Sequence, residues 1–143
     1  MILVDANLLL YAYDADSAHH TRAKEWLERT LSEESDVRIG LTTLLAFLRI
    51  GTDPRVFARP MEPAHAVATI RAWLERPNVS LALPGDRHWA PLSSLASAGK
   101  ARGAVLMDAH LAALALEHGA TLATTDRDFA RFPRLRVIDP LVG

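Results

Sequence analysis

The chain alternates between short apolar runs and longer amphipathic stretches. Residues 1–4, MILV, are apolar throughout and stop at Asp5, which predicts a short strand buried on both faces. ANLLLYAY (6–13) follows without turn residues and predicts a helix, and DADSAHH (14–20) is a polar break. From Ser17 onward, Ala23, Trp26, Leu27, Thr30 and Leu31 fall at helical spacing against a solvated opposite face. VRIGL (37–41) alternates and predicts a second strand. TTLLAFLRIGT (42–52) predicts a third helix, with Thr42 or Thr43 as its N-cap and Gly51 near its end. DPRVFARPMEP (53–63) carries three prolines and predicts a loop. AHAVATIRAWLER (64–76) is amphipathic and helical, VSLAL (79–83) is strand-like, and PGDRHW (84–89) turns into a helix near 90–99. After a loop at 97–103, residues 105–119 form a strongly helical segment stopped by Gly119. ATLAT (120–124) predicts a strand and LRVID (135–139) the last one.

The predicted order is strand, two helices, strand, two helices, strand, two helices, strand, short helix, strand. Such alternation implies an α/β fold: a central parallel β-sheet flanked on both faces by α-helices. No repeat, linker or low-complexity tract interrupts it. With 143 residues, 50% of them hydrophobic, residues 1–143 are expected to form a single domain with a substantial core. Charged residues make up 23% and the formal net charge is −1, so a nucleic-acid partner would meet a local basic patch or a metal. There is no cysteine, which excludes disulfides and thiolate metal sites. The apolar start carries Asp5 and lacks a basic leader, and no apolar run approaches membrane-spanning length. These features predict a soluble, cytoplasmic protein with no membrane partner.

Ligands of open α/β sheets bind beyond the carboxyl ends of the strands. Asp5 directly follows the first strand, Asp126 and Asp128 follow the strand at 120–124, and Asp108 lies in the opening turn of the helix at 105–118. Three segments could therefore deliver carboxylates to one sheet edge. Gathered acids repel one another unless a cation holds them. Oxygen ligands without cysteine suit Mg²⁺ or Mn²⁺, and such an ion activates water against a phosphoryl group. A plainer account is also open. Asp5, Asp108 and Asp126 all stand near helix starts, where a carboxylate serves as a cap. Asn7 could orient Asp5 or a water.

Arg49, Arg55, Arg59, Arg87, Lys100, Arg102 and Arg127 could contact nucleic-acid phosphates or simply be solvated. Arg127 could instead pair with Asp126 or Asp128. His110, two residues past Asp108, points away from that face of a helix, and His19 and His20 lack zinc spacing. Trp26, Trp73 and Trp89 read as packing residues. The helices around 22–31 and 64–75 are apolar on more than one side, either to fill the core or to form a groove for a partner helix.

The ordered set MILVDANLLLYAYD, LLAFLRIGTDPRVFARP and MDAHLAALALEHGATLATTDRDFARF, over nearly the whole chain, resembles the PIN domain, and more narrowly the VapC toxins of toxin–antitoxin pairs. The resemblance implies a Mg²⁺- or Mn²⁺-dependent endoribonuclease restrained by a VapB-like antitoxin. It assigns Asp5, Asp108 and Asp126 to metal ligation and catalysis and makes Asp128 a variable fourth acid. A homodimer is expected by base rate. Many PIN domains carry a glutamate on the middle helix; in the equivalent segment here, LLAFLRI, Phe47 takes that place, which favours one ion over two. A non-catalytic PIN-like module binding RNA or protein is the alternative. A phosphatase with an aspartyl nucleophile would need a second acid where Asn7 stands.

Overall fold

The computed structural model describes residues 1–33 and 35–142. In chain order the elements are β1 (Ile2–Val4), α1 (Ala6–Tyr13), α2 (His20–Ser32), β2 (Val37–Gly40), α3 (Leu41–Gly51), α4 (Pro63–Leu74), β3 (Val79–Ala82), α5 (Trp89–Ala98), α6 (Val105–His118), β4 (Thr121–Ala123), a 3₁₀ turn (Arg127–Arg131) and β5 (Val137–Ile138). This matches the order expected from the periodicities. The strands form one five-stranded sheet in the order β3-β2-β1-β4-β5, and every pairing is parallel.

Alternation along the strands feeds two cores, one on each face. On β1, Val4 joins the cluster of Leu8, Leu9, Trp26, Leu27, Phe47 and Trp73, while Leu3 joins that of Leu95, Leu114, Leu122 and Phe129. The five α2 positions at helical spacing, Ala23, Trp26, Leu27, Thr30 and Leu31, are the buried ones. On α6 the small side chains of Ala109, Ala112, Ala113 and Ala115 are all buried, which lets the helix lie close to the sheet. Gly119 ends α6 in the left-handed region at φ 65°, and Ala120 N–H reaches back to the Ala115 carbonyl at 2.9 Å.

One expected cap is corrected. Neither Thr42 nor Thr43 starts α3; the helix begins at Leu41 with Gly40 at the N-cap and no side-chain cap. The chain passes from β2 into α3 without a spacer, so Thr43 is carried into the buried first turn. A Cβ at Gly40 would stand 3.0 Å from Leu114 Cδ2, so only a small residue suits this corner. No helix among the described residues is long and apolar enough to cross a membrane.

Candidate active site

The strand order sets the location. The chain builds outward from β1 through β2 to β3, then crosses back to place β4 on the other side of β1. Connections therefore diverge between β1 and β4, and a crevice opens at their carboxyl ends. Asp5 N–H bonds to the Ala123 carbonyl at 3.0 Å, and Thr124 N–H to that of Ile138 at 3.0 Å, which locks these strand ends together.

Thr124, 1% exposed, is the hub that joins them. Its hydroxyl donates to Asp5 Oδ2 at 2.7 Å and accepts from Asn7 Nδ2 at 3.3 Å and from the Asp126 N–H at 3.0 Å. Asp5 Oδ1 accepts the Ala6 N–H at 2.7 Å, so this carboxylate caps α1 as well. Asn7 thus acts on Asp5 through Thr124, and its Oδ1 is buried with no hydrogen-bond partner. Asp126 Oδ1 accepts the Asp128 N–H at 2.9 Å and caps the 3₁₀ turn.

Capping therefore accounts for part of Asp5 and Asp126. It does not account for Asp108. The N-cap of α6 is Ala104, no side chain caps that end, and Asp108 sits in the turn beyond. Burial and the charges of Asp126, Asp5 and Asp128 push the Asp108 carboxyl up to about 6, with Arg131 pulling the other way. Burial raises Asp5 above its ordinary value, Thr124 and the Ala6 amide oppose this, and Asp126 adds to it. Asp5, Asp126 and Asp128 thus all lie near enough to Asp108 for their charges to bear on its carboxyl. A cleft of about 490 Å³ runs beside them, lined by Asp5 and Asp108 together with Thr42, Leu45, Ala46 and Arg49 of α3.

Several neighbouring expectations change. Phe47 does not occupy a site position: it is fully buried, with its ring 4.9 Å from that of Trp73 and 5.7 Å from that of Tyr13. Ala46, about 100° further round the helix, is the residue that faces the cleft. Arg127 forms no ion pair among the described residues, with Asp126, Asp128 or any other acid. Arg55 and Arg59 pair with Asp53 at 3.1 Å and Asp16 at 2.6 Å. Trp26 and Trp73 are buried, but Trp89 is 74% exposed.

His110 stays apart from the acids, as its spacing implied. His88 Nδ1–H donates to Glu117, which also accepts the Gly85 N–H at 2.8 Å, and His88 Nε2 meets His110 Nδ1 at 2.8 Å. Burial and the adjacent His88 hold His110 below its ordinary value. Burial draws Glu117 upward, but the Gly85 amide and His88 outweigh it and leave the carboxyl low. This network ties the loop after β3 to α6 and was not anticipated. Nor was the Thr124 hub, although a threonine pair just ahead of Asp126 is visible in the sequence.

The donor chemistry fits a hard divalent cation: oxygen ligands only, surplus negative charge, and an orphaned buried Asn7 Oδ1 close by. Among the described residues no three His, Asp or Glu side chains are already drawn into a closed metal cage. The ligands such an ion would draw on are Asp5, Asp108 and Asp126, with Asp128 at the margin.

Comparison with known proteins finds relatives along nearly the whole chain. The PIN domain family model matches residues 2–135. Ribonuclease VapC43 of Mycobacterium tuberculosis is 41% identical over 143 residues, covering 100% of this chain and 97% of its own. Ribonuclease VapC33 of the same organism is 41% identical, covering 99% of each. Among solved structures, VapBC-1 from nontypeable Haemophilus influenzae superposes with a TM-score of 0.68 at 22% identity, covering 98% of each chain. VapC20 of Mycobacterium tuberculosis, described as a sarcin-ricin loop cleaving toxin, gives 0.67 at 21% identity, covering 95% of this chain and 99% of its own.

Proposed function

The chain belongs to the PIN-domain family, and from that premise we propose that it is the toxin of a type II toxin–antitoxin pair, an endoribonuclease that hydrolyses RNA phosphodiesters at the acid cleft with Mg²⁺ or Mn²⁺. The single observation that carries this reading is Asp108. Its carboxylate caps no helix, yet burial and three neighbouring acids raise it to about 6. Asp108 is therefore set against like charges with no cap to make, an arrangement that a bound cation would relieve.

A divalent ion held there supplies Lewis-acid polarisation of the phosphoryl oxygen and lowers the pKa of water. The chain's own residues supply position. Thr124 and the Ala6 amide fix one oxygen each of Asp5, so its remaining lone pairs have a set direction. Asp126 is fixed by its bond to the Asp128 amide, and Asp108 is placed by the rigid, alanine-packed α6. These bonds and this packing limit how far the carboxylates would have to move to take up an ion.

The partner proposed is a VapB-like antitoxin whose amphipathic helix lies in the groove between α2 and α4. That groove, of about 880 Å³, has Leu27, Leu31, Ala68, Ala72 and Trp73 in its lining and Lys24, Glu28 and Arg76 among its charged residues. Self-association into a homodimer is proposed as well, supported by the exposed apolar Leu81, Leu83 and Trp89 at and beyond edge strand β3.

The test is cleavage of total cellular RNA by purified, antitoxin-free protein with Mg²⁺, with Mn²⁺ and with EDTA, beside Asp5→Asn. Discrete metal-dependent fragments, lost with EDTA and in the variant, are expected. Folded protein that cuts nothing with either metal would move the reading to a non-catalytic RNA- or protein-binding module.

A further inference from the structure

An RNA strand entering this cleft brings a phosphate for every nucleotide, and it enters beside four aspartates. A cation at the centre offsets that repulsion at one point only. The flanking phosphates need positive charge of their own, held close and not already neutralised.

Four of the arginines are committed to acids elsewhere. Arg29, Arg38, Arg55 and Arg59 stand within ion-pair distance of Glu33, Asp36, Asp53 and Asp16. Arg131 differs. Its Nε–H donates to the Asp128 carbonyl and its Nη1 to the Gly99 carbonyl, both at 3.3 Å, so it is tethered by neutral oxygens. Of five guanidinium donors three remain free, and the charge is uncancelled. These two bonds set Arg131 between the turn that carries Asp126 and Asp128 and the loop that leads into α6, the helix of Asp108. Arg49 is the second such group. It lines the same cleft as Asp5 and Asp108, is exposed, and makes no ion pair among the described residues. Asp53, four residues further along the chain, is held by two Arg55 nitrogens at 3.1 Å.

The two come from opposite sides. Arg49 is on α3, which leaves β2; Arg131 is on the 3₁₀ turn, which leaves β4; β1, carrying Asp5, lies between those strands. We propose that Arg131 and Arg49 bind the RNA backbone on either side of the scissile bond, so that the strand crosses the cleft from the β4 side to the β2 side over the acids. This deepens the ribonuclease reading and rests on it.

The experiment has two arms. In the first, the Asp5→Asn protein binds a labelled single-stranded RNA oligonucleotide over a range of salt, alone and combined with Arg49→Ala or Arg131→Ala. Each arginine removed should make the log–log salt dependence shallower by about 0.7. In the second, cleavage by Arg49→Ala, Arg131→Ala and Arg131→Lys is compared with wild type. KM should rise about tenfold for each alanine variant with kcat changed less than about threefold, and Arg131→Lys should recover part of the loss. Arg131→Ala also releases the Gly99 carbonyl, so its thermal unfolding is followed; Arg49→Ala, at an exposed position, carries the test if that variant is unstable. Wild-type cleavage with an unchanged salt slope and KM in the variants overturns this proposal alone. A fall in kcat with an unchanged slope overturns it too, and makes Arg131 a brace for the turn. Wild-type protein that neither binds nor cuts RNA removes the ribonuclease reading and this proposal together.

Discussion

At the scale of the residue, Asp108 combines strain and chemistry in one carboxyl. Its folded-state value, about 6, lies above the ordinary aspartate value near 4. Between those two values the unfolded chain binds fewer protons than the folded one, so stability falls as pH rises through the window and levels off above it. For chelator-treated protein, Tm is therefore expected to drop from pH 4 to pH 7 more in the wild type than in Asp108→Asn, which should be the more stable of the two at pH 7. A divalent ion should reverse that order at pH 7 and lose its effect below about pH 6, where Asp108 holds its proton. Parallel melting curves for the two proteins at every pH would show that the neighbouring acids exert no such push. Thr124 works the opposite way: one buried hydroxyl satisfies a carboxylate, an amide and a backbone N–H at once, so the acids are aimed by a neutral residue.

At the scale of the element, α3 decides what faces the cleft. Phe47 and Ala46 are adjacent in sequence but point in different directions, one into the aromatic core with Trp73 and the other toward Asp5 and Asp108. Phe47→Glu is thus expected to lower unfolding stability by roughly 3 kcal/mol or more, through lost packing and a buried charge. Ala46→Glu should leave the fold intact and add a carboxylate to the cleft. Urea unfolding of both variants distinguishes them; equal, small losses would contradict the assignment of faces. The order of elements was legible because apolar spacing differs so plainly between strands and helices. The rotation of α3 was not, because neighbouring positions lie about 100° apart and only packing chooses between them. The same limit applies at α6. Whether Asp108 capped the helix depended on a start set by the turn before Val105, which the chain around DAHLAALA does not record. The Thr42 or Thr43 cap failed because β2 feeds α3 directly, and capping chemistry assumes a turn that is not there.

At the scale of the whole molecule, the acid cleft and the α2–α4 groove have no lining residue in common. A partner seated in the groove could be displaced without disturbing the acids. Ala72→Glu, at an exposed groove position, should accordingly preserve RNA cleavage while weakening inhibition by the cognate antitoxin at least about tenfold, since a charge without a partner must be desolvated for the helix to dock. Titration of antitoxin into a cleavage assay measures this. Undiminished inhibition would place the antitoxin elsewhere.

The bond between Thr124 and Asp5 spans 119 positions of sequence. During synthesis, a ribosome that has made the first 100 residues has produced Asp5 and neither Asp108 nor Asp126. The growing chain therefore has no cleft. Whatever the assembled cleft acts on, a nascent chain that stops short of Asp108 and Asp126 has not yet built it. The order of the code along the gene becomes a timer on the cleft.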